Sequence, residues 1–184
     1  RRTFTVPADW KGKNIYINFD GVDSFFYLYI NGHYVGFSKN SRNAAEFNIT
    51  KYLQEGENTV AVEVYRSSDA SFLEAQDMFR LPGIFRTVAL HSRPQVRIRD
   101  LVVKPDLDAD YRNGELNITA ELVNTSKKNV KDLQIRYTLY QHDLYSDDNI
   151  AIDNSQFTID NCAPITMGKL TGKAVATAKL AMEA

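Results

Sequence analysis

One cysteine, Cys162, stands in 184 residues, which excludes an internal disulfide framework and any Cys-x-x-Cys zinc or redox motif. A single thiol does not choose between compartments, so cytoplasm and periplasm both stay open. Long apolar runs are missing as well. The longest, such as residues 25–30, fall far short of the roughly 20 residues that a membrane-crossing helix needs, and no membrane partner is expected. Charge of one sign is equally scarce: Lys+Arg 22 against Asp+Glu 23 gives a formal net charge of -1, leaving no field to gather nucleic acid. The nine glycines never fall into a G-x-G-x-x-G or Walker spacing suited to cradling phosphate. His33, His91 and His142 are scattered without an i, i+4 pair, which signals neither a zinc helix nor a base-nucleophile dyad. The chain opens at Arg1 with no initiator methionine and no apolar signal core, so preceding residues are expected.

What the sequence does hold is alternation. Period-two runs rich in Val, Ile, Tyr and Phe recur between turn residues, and no window carries a capped apolar stripe at helical spacing; the class is all-β. Strands are expected over residues 2–6, 14–19, 24–30, 33–38, 46–48, 58–65 and 86–92, with Asn31-Gly32 as a tight hairpin turn because both residues tolerate positive φ. A short helical turn is expected over 50–53. The pattern pauses at Pro94, which places a domain boundary between 1–93 and 94–184. The first part reads as a sandwich or jelly roll. In the second, strands are expected over 95–104, 115–124, 131–141, 156–159 and 169–183, with Leu116, Ile118, Ala120 and Leu122 facing a core, in the style of an immunoglobulin-like sandwich.

Candidate sites are few. Asp106, Asp108 and Asp110 alternate like the first ligands of a calcium loop, but Tyr111 and Asn117 stand where that loop needs glycine and glutamate, so a solvated turn is expected. Tyr27, Tyr29 and Tyr34 could stack on sugars; at alternating strand positions they are expected in the core instead. Residues 67–80 form an acidic segment in which Asp69, Glu74 and Asp77 lie close to Gln76 and Arg80, the donor and acceptor mix that suits a polyol. Glu74 and Asp77 are not a glycosidase's catalytic pair, since two carboxylates three residues apart would face one side of a sugar. The structural alternative is that Arg80 pairs with Glu74 or Asp77 and stitches the loop together.

The run Ser68-Asp69-Ala70-Ser71-Phe72-Leu73-Glu74-Ala75-Gln76-Asp77-Met78-Phe79-Arg80, followed by Gly83-Ile84-Phe85-Arg86, resembles a stretch of the β-galactosidases of glycoside hydrolase family two. Phe19-Asp20-Gly21-Val22-Asp23-Ser24 and the stretch from Asn31-Gly32 to Ser41-Arg42 are similar to that family's F-x-G-V-x-S and N-G-x-x-V-G-Y-S-x-x-S-R segments. Ala70, Phe72 and Phe79 depart from its glycine, tyrosine and tryptophan; a positive φ at Ala70 would cost about 1 kcal/mol.

The resemblance implies a sugar-binding jelly roll incomplete at its N-terminus, then an incomplete immunoglobulin-like domain, both from a longer retaining β-galactosidase whose catalytic glutamates lie on a TIM barrel outside this chain. It implies that Asp77 binds galactosyl hydroxyls and helps hold a sodium ion in the parent. Na+ and Mg2+ are thus implied for the parent and no cofactor for the fragment, which is expected to be inactive alone. The implied partners are a β-galactoside, the rest of the polypeptide and a second copy in a homo-oligomer. The competing expectation is a free-standing carbohydrate-binding or adhesive β-sandwich that works through surface aromatics.

Overall fold

A computed structural model describes residues 1–74, 76–133 and 135, together with the strand segments Tyr140–His142, Asn149–Ala151, Ile165–Met167 and Gly172–Met182. The chain divides into two compact units, Arg1–Pro94 and Gln95–Ala184.

In the first unit the strands are β1 (Arg2–Thr5), β2 (Asn14–Phe19), β3 (Val22–Asp23), β4 (Phe25–Ile30), β5 (His33–Ser38), β6 (Ala45–Asn48), β7 (Glu57–Tyr65), β8 (Gly83–Ile84) and β9 (Val88–Arg93), with one α-helix, α1 (Ala70–Glu74), and 3-10 turns at Ala8–Trp10 and Thr50–Tyr52. A four-stranded sheet of order β1-β7-β4-β5 faces a three-stranded sheet of order β6-β2-β9, and β3 pairs with β8 alone. Every pairing is antiparallel. The alternation of β4 sets the core: Phe26, Leu28 and Ile30 are all but inaccessible and pack against Ile15, Ile17 and Phe19 of β2, with Val22 and Ile49 closing the cluster. Each such side chain contributes about 1.5–3 kcal/mol by leaving water.

The intervening residues of β4 contradict the expectation of a tyrosine core. Phe25, Tyr27 and Tyr29 point away from the core and meet Tyr65 of β7 and Tyr34 and Phe37 of β5 in an aromatic layer on the outer face. Tyr34, Phe37 and Tyr65 remain 50%, 51% and 42% exposed. Period-two alternation assigns residues to opposite faces; it does not say which face is inside when both are apolar. The hydrogen bond from Tyr65 to Glu63 holds that phenol's pKa above its ordinary value.

The hairpin turn forms as the dipeptide dictates, with Asn31 at φ 50 and Gly32 at φ 80, and Ile30 opposite His33. Asn31 also reaches sideways: its side chain accepts from Thr59 N (2.8 Å) and donates to Tyr52 O (2.9 Å) and to Asn58 Oδ1 (2.8 Å). Asn58 is wholly buried and fully used. It accepts from Gln54 N as well and donates to Gln54 O and Gly56 O. A short 3-10 turn, Thr50–Tyr52, stands where a helical turn is expected.

The second unit contains β10 (Val96–Leu107), β11 (Gly114–Asn124), β12 (Val130–Leu133), β13 (Tyr140–His142), β14 (Asn149–Ala151), β15 (Ile165–Met167) and β16 (Gly172–Met182). β11 lies between β10 and β16, and its residues Ile118, Ala120 and Leu122 are buried as their alternation predicts, while Leu116 is only half-buried and Val123, on the opposite face, is buried as well. Within the strand expected over 131–141 the described residues include β12 and β13, with Ile135 outside a strand, and the strand expected over 156–159 lies outside the described residues. Between β10 and β11, Asp108 caps a turn: its carboxylate accepts from Arg112 N and Asn113 Nδ2, which holds its pKa below the usual value.

Leu28→Ala is expected to lower the unfolding free energy by about 3–5 kcal/mol in urea denaturation, whereas Tyr29→Ala, one residue on but on the outer face, costs about 1 kcal/mol. Equal losses would contradict the two-faced assignment of β4. Asn58→Ala strands the groups it serves and is expected to cost about 3 kcal/mol; a loss under about 0.5 kcal/mol would show that water replaces them freely.

Candidate functional site

The acidic segment is a folded loop, and its start is helical where no helix is expected. The backbone carbonyls of Ser68 and Asp69 accept from Ser71 N at 3.1 Å and Phe72 N at 3.3 Å to open the helix, and Asp69 Oδ1 accepts from the adjacent Ala70 N at 2.9 Å. Ala70 lies in this helix and not at positive φ, so the strain expected from losing glycine there does not arise. The segment therefore tolerates a Cβ at its first helical position.

Hydroxyl groups dock the helix onto the sandwich. The buried Ser24, just ahead of β4, lies 2.7 Å from Ser71 Oγ and 3.1 Å from Ser68 Oγ, and Ser71 Oγ accepts from Ser68 N at 2.9 Å. The end of the helix is held by Ser41, which is 2% exposed: its backbone N–H donates to Glu74 Oε1 at 3.2 Å and its hydroxyl to Glu74 Oε2 at 2.5 Å. The same hydroxyl stands 3.3 Å from Asp23 Oδ1.

The three acids thus have different environments. Asp69 pairs with Lys39 Nζ at 2.9 Å, and that ammonium, followed by the Ala70 amide, holds its carboxyl below the ordinary aspartate value. Glu74 is occupied by Ser41. Asp77 is exposed and, among the described residues, makes no hydrogen bond or ion pair. Arg80 is likewise without an ion pair among the described residues, so the stitching of the loop by Arg80 to Glu74 or Asp77 is not observed. Serine hydroxyls and Lys39 hold the loop instead.

Downstream the chain turns at Gln76, whose φ is 28, and runs exposed until Gly83 pairs opposite Asp23 in the β3–β8 ladder. Phe85 then packs over Gly21, where a Cβ would stand 2.8 Å from the ring, and Arg42 and Arg86 flank that ring at 5.5 and 5.1 Å from its centre. Arg86 also donates to Asp20 O and Arg42 O, and β9 starts at Val88 and not at Arg86. Phe72, Phe79 and Leu81 are 83%, 93% and 74% exposed. A cleft of about 220 Å³ opens beside the loop, lined by Asp23, Ser41 and Glu74 and by Arg42, Arg66 and Arg80; Asp77 does not line it.

Among the described residues no three His, Cys, Asp or Glu side chains gather as a metal site, so Asp77 could supply one oxygen ligand to a cation but not a complete shell. His91 stacks on Tyr16 with ring centres 5.5 Å apart, and its Nε2 lies 3.0 Å from Glu46 without hydrogen-bond geometry. His33 tilts against Tyr52. His33 and His91 thus pack against aromatic rings. Ser24, Lys39 and Ser41 had no expected function; their signal lay in the motif segments that contain them, which fold against the loop.

Comparison with known proteins agrees with this geometry. The family model described as glycosyl hydrolases family 2, sugar binding domain, matches residues 1–94. A β-galactosidase of Priestia megaterium is 53% identical over 139 residues, covering 76% of this chain and 13% of that protein. One of Clostridium acetobutylicum is 42% identical over 128 residues, covering 70% and 14%. The chain therefore spans about an eighth of the length of these relatives. In fold it is similar to a β-glucuronidase of Bacteroides uniformis, with a TM-score of 0.76 at 20% identity over 99% of this chain and 21% of that one. The matched residues 1–94 coincide with the sandwich unit and its docked loop, and the chain belongs to glycosyl hydrolases family 2 through that family's sugar binding domain.

Proposed function

We propose that this chain is the sugar-binding part of a retaining hydrolase of terminal β-D-galactosides and that Asp77 is the residue it presents to the galactosyl group. The observation that carries the proposal is the division of labour among the three acids: Lys39 and Ser41 occupy Asp69 and Glu74, while the carboxylate of Asp77 is exposed and uncommitted among the described residues. A carboxylate offers lone pairs to two sugar hydroxyls and a formal charge to a hard cation, so the same group fits a sodium ion whose other ligands come from elsewhere in the polypeptide. Mg2+ belongs, on this proposal, to the parent enzyme alone. The acid/base and nucleophilic glutamates come from the barrel, and the 184-residue chain hydrolyses nothing by itself. The exposed apolar groups of Phe72, Phe79 and Leu81 suit a loop covered by the rest of the polypeptide. The edge strands β1 and β5 leave room for pairing with a second copy in a homo-oligomer.

A free-standing carbohydrate-binding role is the second reading, favoured by the aromatic outer face around Tyr34, Phe37 and Tyr65. Titrating the 184-residue chain with galactose and with β-linked oligosaccharides while following tyrosine fluorescence separates the two. Saturable binding abolished by Tyr34→Ala supports the carbohydrate-binding role; no binding leaves the enzyme role in place.

In the polypeptide that includes the barrel, Asp77→Ala is expected to reduce kcat/KM on a β-galactoside by roughly 10²-fold or more with little change in thermal stability. Asp77→Asn, which keeps one acceptor, is expected to fall between. An unchanged kcat/KM would remove Asp77 from the site.

A further inference from the structure

We propose that Ser41 and Glu74 are the clamp that positions Asp77, making Glu74 a positioning residue of the galactosyl site; this rests on the assignment of Asp77 above. Glu74 is the last residue of α1 and stands three residues before Asp77. Its two carboxylate oxygens receive two donors from one residue, the backbone N–H and the hydroxyl of Ser41, at 3.2 and 2.5 Å. A single hydrogen bond would leave the carboxylate free to rotate; two donors fixed relative to one another set both its place and its orientation. The donor residue is itself buried, 2% exposed at the base of the loop.

Among the described residues the clamp is the last side-chain hold before the exposed turn that carries Asp77. Gln76 to Pro82 make no hydrogen bond among the described residues, and the next hold is Gly83, paired opposite Asp23. Asp23 stands 3.3 Å from the Ser41 hydroxyl, so Ser41 contacts Glu74 at one end of the span and, at the other, the ladder partner of Gly83. The other upstream contacts do not substitute for it. Ser71 is further back on the helix, and the Lys39–Asp69 pair is 45% and 75% exposed, where ion pairs hold weakly. Without the clamp the free span lengthens back toward Ser71. Loop-closure entropy changes little with such lengthening, so the consequence falls on where Asp77 stands and not on whether the sandwich folds. Position is what a hydrogen bond to a reacting sugar depends on.

The test is a double-mutant cycle in the polypeptide that includes the barrel. Ser41→Ala and Glu74→Ala are each expected to lower kcat/KM by roughly 10-fold or more, with Glu74→Gln recovering part of the loss because it keeps one acceptor oxygen. In the Asp77→Ala background neither is expected to cost more, because the residue they position is gone. Losses that multiply in that background would overturn the proposal by showing a role independent of Asp77. Should Asp77→Ala itself leave kcat/KM unchanged, the assignment of Asp77 falls, and the clamp is decided on the 184-residue chain by tryptic cleavage after Arg80. Cleavage several-fold faster in Ser41→Ala and Glu74→Ala than in the unaltered chain upholds it; equal rates overturn it.

Discussion

Strand β4 has two apolar faces and only one can be the core. Phe26, Leu28 and Ile30 take that role, and the choice fixes the sheet's register, because a shift of one residue would drive Phe25, Tyr27 and Tyr29 inward. The rest of the sandwich unit follows from that register. At the end of β4 it delivers Asn31 to the buried Asn58, joining the hairpin to β7. At its start it places Ser24 against Ser71, so the loop that carries the acids is docked by the same strand that organises the core. Burial and the candidate site are thus coupled through a few residues of one strand.

Around that strand the polar contacts sort residues that look alike in sequence. Asp69, Glu74 and Asp77 are equivalent as isolated carboxylates. They differ once Lys39 and Ser41 claim the first two. Serine is well suited to the docking surface. Its hydroxyl both donates and accepts, so Ser24, Ser68 and Ser71 satisfy one another without bringing a charge into the protein. Ser41, buried at the base of the loop, can then hold a carboxylate with its backbone as well as its side chain.

The strands of the first unit were legible because alternation and the Asn31-Gly32 turn are local signals: 14–19 and 33–38 agree with β2 and β5 to the residue. The side assignment of β4 was not legible, since Phe25 through Ile30 are apolar throughout and burial on one face depends on which partner sheet arrives. Helix α1 escaped notice because five residues show no period. Within the site, Asp77 could be singled out from the motif it sits in, and the contacts that distinguish it could not, because Ser24 and Ser41 lie 47 and 33 residues from Ser71 and Glu74. The alternative of Arg80 pairing with a neighbouring acid draws on sequence proximity, whereas the serines that hold the loop are brought in by the topology.

The most direct measurement is a crystal structure of the barrel-containing polypeptide bound to a slow or non-hydrolysed β-galactoside. The account predicts a carboxylate oxygen of Asp77 within about 3.2 Å of a galactosyl hydroxyl, with Glu74 still held by Ser41. Asp77 turned to solvent with no contact to the sugar would contradict it.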